Sequence, residues 1–161
     1  MSPLIGRSRS NMVLEIVTLP AQIIIGLEAV VPVTDLAGMS EAKTELIAKL
    51  KAEQAALTST AVDDEFYGVN FATDEQNYLV GVKVAMTDPL ETNYLVAAGL
   101  YAVFTTTIKQ RVAADRFVAD AYGILAQSAE YVVAANHNLE VITPLITGKG
   151  AFHLYIPVAA K

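Results

Sequence analysis

The chain has 161 residues, no cysteine, and a formal charge of −6 from 17 acidic and 11 basic side chains. That length suits one domain with its own core, and the lack of cysteine excludes disulfides, thiolate metal sites and a cysteine nucleophile. The acidic balance disfavours polyanionic partners such as nucleic acid and mildly favours cationic ligands.

Residues 1–11, "MSPLIGRSRSN", lack the apolar stretch of a secretory signal and read as a flexible lead-in to a single domain over 12–161 in the cytoplasm. "MVLEIVTLPAQIIIGLEAVV" (12–31) is β-branched and strand-like, with Pro20 marking a mid-length bend. "SEAKTELIAKLKAEQAAL" (40–57) is helical: Leu46, Ile47, Leu50 and Leu57 share one face, and Ser40 is placed to cap it. "EFYGVNFA" and "NYLVGVKVA" follow as strands joined by the hairpin-sized "TDEQ". The pattern then restarts. "NYLVAAGLYAVFTTTI" (93–108) is a second long strand run, broken at "AAG" where the first has "LPAQ". Residues 109 to about 130 are helical, and "NLEVITPL" and "AFHLYIPV" are strands joined by "ITGKG". No apolar run approaches the roughly 20 residues of a membrane span.

Strand–helix–strand–strand thus occurs twice, over 12–85 and 93–158, with a cleft expected between the halves. The expected fold is α+β: duplicated β-α-β-β units related by pseudo-twofold symmetry, an antiparallel sheet, two helices and a central ligand groove.

"LEIVTLPAQIIIGL", "FYGVNFATDEQNYLVGVKV", "AAGLYAVF" and "HLYIPV", in this order, resemble the effector-binding domain of AraC-type regulators and of GyrI-like proteins over Leu14 to Val158. The resemblance implies a groove that takes small, often aromatic and cationic molecules. About a dozen residues before the first strand leave no room for a helix-turn-helix, so a free-standing module without direct nucleic-acid binding is expected. A homodimer through an exposed edge strand or the lead-in, or a separate regulatory protein, would fit such a module.

Five of the seven tyrosines fall on the strands, among them Tyr67, Tyr78, Tyr101 and Tyr155, with Phe71 and Phe104 beside them. Strand tyrosines ordinarily pack on a core, but in a groove aromatic faces attract cations. Glu140 lies mid-strand in "NLEVI", where the family often keeps a glutamate. Desolvated in the groove, its carboxyl would have a raised pKa, and a bound cation would restore its charge. In the last strand the family often has a glutamate where this chain has His153. Alternation puts His153 on one face with Tyr155, and Phe152, Leu154 and Ile156 on the other. His137 reads as an exposed loop histidine, and Glu65 and Glu15 as surface residues.

No cofactor is expected and no catalytic residue is assigned. "GKG" is a turn, no G-x-S-x-G elbow occurs, and two separated histidines make a poor metal site. The reading is a binder of hydrophobic, cationic, aromatic small molecules. Two alternatives stay open: a hydrolase using Tyr101 or Tyr155 with Glu140 or His153, and a protein-interaction or inhibitor module.

Overall fold

In the computed structural model, which describes residues 14–32, 35–86 and 94–161, the first apolar run is two strands rather than one. β1 (Glu15–Leu19) stops where Pro20 lacks a backbone donor, and β2 (Gln22–Val30) starts after Ala21. The second run divides in the same way into β5 (Tyr94–Val96) and β6 (Gly99–Thr106). The expected lead-in, residues 1–11, lies outside the described residues. The remaining elements are α1 (Leu36–Thr58), β3 (Tyr67–Ala72), β4 (Gln76–Val84), α2 (Arg111–Ala126), β7 (Tyr131–Val133), β8 (His137–Val141), α3 (Thr143–Thr147) and β9 (Phe152–Ala160).

Three local expectations change. Asp35, not Ser40, caps α1, its carboxylate accepting from the Gly38 N–H at 2.8 Å; Ser40 lies inside the helix. The second helix stops at Ala126 rather than near residue 130, and Tyr131 begins the short β7 against β9. "NLEVITPL" is strand only to Val141, because Pro144 cannot supply a ladder donor and suits the first turn of α3. The described residues therefore hold three helices rather than two.

The antiparallel sheet runs β1-β6-β9-β8-β3-β4-β2-β5, with β7 added to β9. Exchanging β1 with β5, β2 with β6, β3 with β8 and β4 with β9 reverses that order, which is the pseudo-twofold, its axis between β3 and β8. Each half's first short strand crosses over: β1 pairs with β6, and β5 with β2. In a flat sheet β1 and β2 would stand roughly 29 Å apart, six strand spacings. Their two-residue link spans no more than roughly 11 Å. The sheet must therefore curl until its ends approach. Gly26 and Gly81 face each other in the β2–β4 pair, and a Cβ on either would run into the other strand's backbone, at the Val80 or Ile25 carbonyl oxygen.

The curl separates two cores. α1 and α2 cover the outer face, where Leu46, Leu50 and Leu125 meet Val80, Phe104, Phe152 and Leu154. The inner face gathers Ile24, Val69, Leu79, Leu139 and Val141 with Val17 and Leu19 from the far end of the sheet, and no helical residue belongs to that cluster.

Candidate functional site

Cross-strand register builds the inner face. Thr105, His153, Val141 and Tyr67 lie opposite one another in one row across β6, β9, β8 and β3. The next row is Glu15, Val103, Tyr155, Leu139 and Val69. Where these rows meet the β1–β2 link they enclose a cleft of about 220 Å³, walled by Tyr67, His153, Tyr155 and Leu139, with Glu65 and Lys83 on its lining.

Several polar groups at the cleft are held by neighbours. The Tyr67 hydroxyl donates to Asp63 Oδ2 at 2.6 Å, and burial followed by this bond raises its pKa. Lys83 Nζ lies 3.7 Å from Asp63 Oδ2 and 5.1 Å from the Tyr67 ring centroid, a built-in cation–π contact. Glu65, half-buried, accepts from Thr143 Oγ1 at 2.5 Å, and that oxygen accepts the Phe66 N–H at 2.9 Å. His153 Nδ1 lies 2.8 Å from Thr105 Oγ1, and its ring centroid is 6.4 Å from that of Tyr155. Burial, then the charges of Glu65 and Glu15, raise the Tyr155 pKa. Lys83 is matched by Asp63, whereas neither Glu65 nor Glu15 pairs with a cation among the described residues. Glu65 is thus the one acid on the cleft lining left without a cation among the described residues, while Glu15, on the neighbouring row, is exposed and off the lining.

Further along the inner face Tyr101 is buried, its hydroxyl donating to the Ala97 carbonyl at 2.6 Å and lying 3.3 Å from His137 Nε2. Phe71 and Tyr94 rings are 4.6 Å apart, and Tyr94 and His137 6.0 Å. His137 is thus no exposed loop residue: it opens β8 at 8% exposure, and desolvation lowers its pKa.

Glu140, Tyr78 and Phe104 are on the outer face, apart from the cleft, and this corrects the reading of Glu140 as the groove's anion. Its side chain has 0% exposure and is bound by Arg111 through both oxygens at 2.8 and 2.9 Å. Tyr78 donates to it at 2.8 Å and Asn70 at 2.9 Å. Arg111 also donates to the Tyr78 hydroxyl and to Asp115, which in turn accepts from Ser40 and Lys43. Burial alone would raise the Glu140 pKa, but the charge and hydrogen bonds of Arg111, aided by Lys43 and Tyr78, bring it down to about 2. The cation expected from a ligand is the protein's own. A Cβ on Gly68 would stand 2.6 Å from the Tyr78 oxygen and 2.7 Å from Glu140 Oε1, so glycine there leaves the room this network occupies. Phe104 packs in the core beneath the helices.

Of the expected site residues, His153, Tyr155 and Tyr67 therefore meet in the cleft, and Tyr101 and Phe71 lie beside it. Glu65, expected at the surface, is half-buried on the cleft lining, and sequence reasoning passed over Lys83. Glu65 stands two residues before Tyr67, and alternation alone would have put the two side by side. Arg111, at the start of α2, gives no local signal of its link to a strand 29 positions away. Among the described residues no cluster of three or more candidate ligands could hold a metal ion, and no helix is long and apolar enough to cross a membrane.

Residues 15–158 match the Cass2 family model, integron-associated effector binding protein. No curated protein matches the chain. The structure of SAV2435 bound to tetraphenylphosphonium is similar with a TM-score of 0.72 at 15% identity, covering 92% of this chain and 94% of that one. A putative bacterial transcription regulation protein from Staphylococcus aureus MU50 aligns at TM-score 0.69 and 14% identity over 92% and 99% of the two chains. An integron cassette protein from the mobile metagenome of Vibrio cholerae aligns at 0.62 and 13%, over 92% and 99%. At these identities the likeness to the solved structures is one of fold.

Proposed function

The chain belongs to the Cass2 family of integron-associated effector binding proteins, and we propose that its effector is a hydrophobic, cationic, aromatic small molecule held in the inner-face cleft. The observation that carries this reading is the pairing of aromatic walls, Tyr67 and Tyr155, with Glu65, the lining acid left over after Lys83 is matched by Asp63. A delocalised cation gains from both at once: its charge meets Glu65, and its rings face the rings of Tyr67 and Tyr155. That SAV2435 holds tetraphenylphosphonium supports the choice of ligand class. The cleft's 220 Å³ is below the roughly 300–1,000 Å³ of pockets that enclose drug-sized ligands. One aromatic arm would insert while the rest stays at the mouth, which favours permissive recognition over a single shape.

The hydrolase alternative loses Tyr101 with Glu140 and keeps Tyr155 with His153, which share the cleft. Tyr101 and Glu140 lie on opposite faces of the sheet, and the Tyr101 hydroxyl is committed to the Ala97 carbonyl. The acidic charge of the chain argues against its own contact with nucleic acid, so an effect on transcription would run through a second protein.

Calorimetric titration with tetraphenylphosphonium tests the reading. Saturable binding without turnover, lost when Tyr155 is replaced by alanine, is the expected result. Binding that Tyr155→Ala leaves intact, or chemical conversion of the ligand, would contradict it.

A further inference from the structure

β2 opens with a glutamine among apolar inner-face neighbours. Gln22 lies opposite Val96 of β5 and two residues before Ile24, and both of those side chains belong to the inner core. Alternation therefore turns Gln22 inward with them. There it is 7% exposed and lines the cleft of about 220 Å³, as do Leu19, Pro20 and Val141.

Its amide bonds to no other group among the described residues. Ten polar or charged side chains are buried there, and nine of them make side-chain hydrogen bonds; Gln22 is the tenth. Nor is the amide shut away in the core. The one side-chain nitrogen or oxygen sealed from solvent without a partner among the described residues is Arg111 Nε. The opening that the Gln22 amide has is the cleft it lines. Other groups on that lining also have bonding capacity to spare: Glu65 spends Oε1 on Thr143 and leaves Oε2, and His153 spends Nδ1 on Thr105 and leaves Nε2. A ligand that covers such an amide without bonding it strips its hydration and returns nothing.

We propose that Gln22 selects, among cations, those that carry N–H groups: the effector is an aromatic cation with amino or ring N–H donors, of the aminoacridine or amidine kind, rather than a fully alkylated or arylated onium ion. This rests on the reading of the cleft as a cation site and narrows it. An N–H edge donates to Gln22 Oε1 while the delocalised charge faces Glu65, so one group supplies both the donor and the charge. Tetraphenylphosphonium presents only C–H at its surface; it meets the charge requirement and leaves Gln22 unanswered.

Fluorescence titration of the full chain with a pair of acridine dyes tests this. Proflavine carries amino groups and a protonated ring nitrogen at neutral pH; 3,6-bis(dimethylamino)-10-methylacridinium keeps the ring and the charge and has no N–H. Gln22→Met keeps the length of the side chain and removes its hydrogen-bonding atoms. It should weaken proflavine about tenfold, the scale of one charge-assisted hydrogen bond, and leave the methylated dye within about twofold. Without dye the same variant should unfold at no lower temperature than the parent, since an apolar side chain replaces an unanswered amide. Equal losses for the two dyes, or no loss for proflavine, would overturn the role of Gln22 while leaving the cleft a cation site. A marked drop in unfolding temperature would overturn it as well, by showing that the amide serves the fold. Binding of neither dye to the parent chain would remove the cation site itself, and this proposal with it.

Discussion

Desolvation would push a buried carboxyl up in pKa, and Glu140 goes the other way because Arg111 meets both of its oxygens. Removing that partner strands a charge under the helices. Arg111→Met should cost about 3–5 kcal/mol of stability by denaturant unfolding, and adding Glu140→Leu should return part of it, since the paired change leaves no unpaired charge. Glu65 is the contrasting carboxylate, half-buried at the cleft with Thr143 as its hydrogen-bond partner. Lys83, above the Tyr67 ring, already occupies a place a cationic ligand would favour. Lys83→Gln should therefore tighten tetraphenylphosphonium about threefold at low salt, an advantage that screening removes. Looser binding in calorimetry would mean that Lys83 supports the ligand rather than competing with it.

The β2–β4 pair lets the sheet curl only because Gly26 and Gly81 bring two backbones together. Gly81→Ala puts a methyl against the Ile25 carbonyl, which cannot swing away as a side chain could. A loss of about 1–3 kcal/mol or more is expected by thermal or urea unfolding, and a neutral result would mean that the strands can part there without cost. Such pairings decide what the sequence could reveal. Hairpin β3–β4, the two long helices and the repeat were legible because they rest on alternation, 3.6-residue periodicity and short turns. The inner and outer assignment of β9 was also legible, as Phe152 and Leu154 fall in one core and Tyr155 in the other. The facing of Glu140 was not. Its neighbours in the chain are apolar on both sides, and only Arg111, brought over by the packing of α2, tells which side is which. The crossover of β1 to β6 was hidden too, although Pro20 and "AAG" marked where each run divides.

Taken whole, the molecule is a curled sheet with a buried, neutralised charge network outside its curve and an acidic, aromatic cleft inside it. The network sets how the fold answers acid. The Glu140 pKa lies at about 2 in the folded chain against an ordinary 4.5, so its contribution is fully present above the unfolded value and is lost as pH falls from 4.5 toward 2. That contribution is on the order of 3 kcal/mol. Circular dichroism of Glu140→Gln, normalised to its own stability at neutral pH, should show a shallower loss across this window; a parallel loss would place the acid sensitivity elsewhere. On the proposed function the cleft sets what the protein recognises, and charge rather than shape alone is the central claim. Calorimetry with tetraphenylphosphonium and with neutral triphenylphosphine oxide, each on the parent chain and on Glu65→Gln, separates the two. The cation should lose about tenfold in affinity while the neutral ligand is nearly unchanged, the mark of a desolvated carboxylate facing the charge. Equal losses for both ligands, or no loss for the cation, would contradict it.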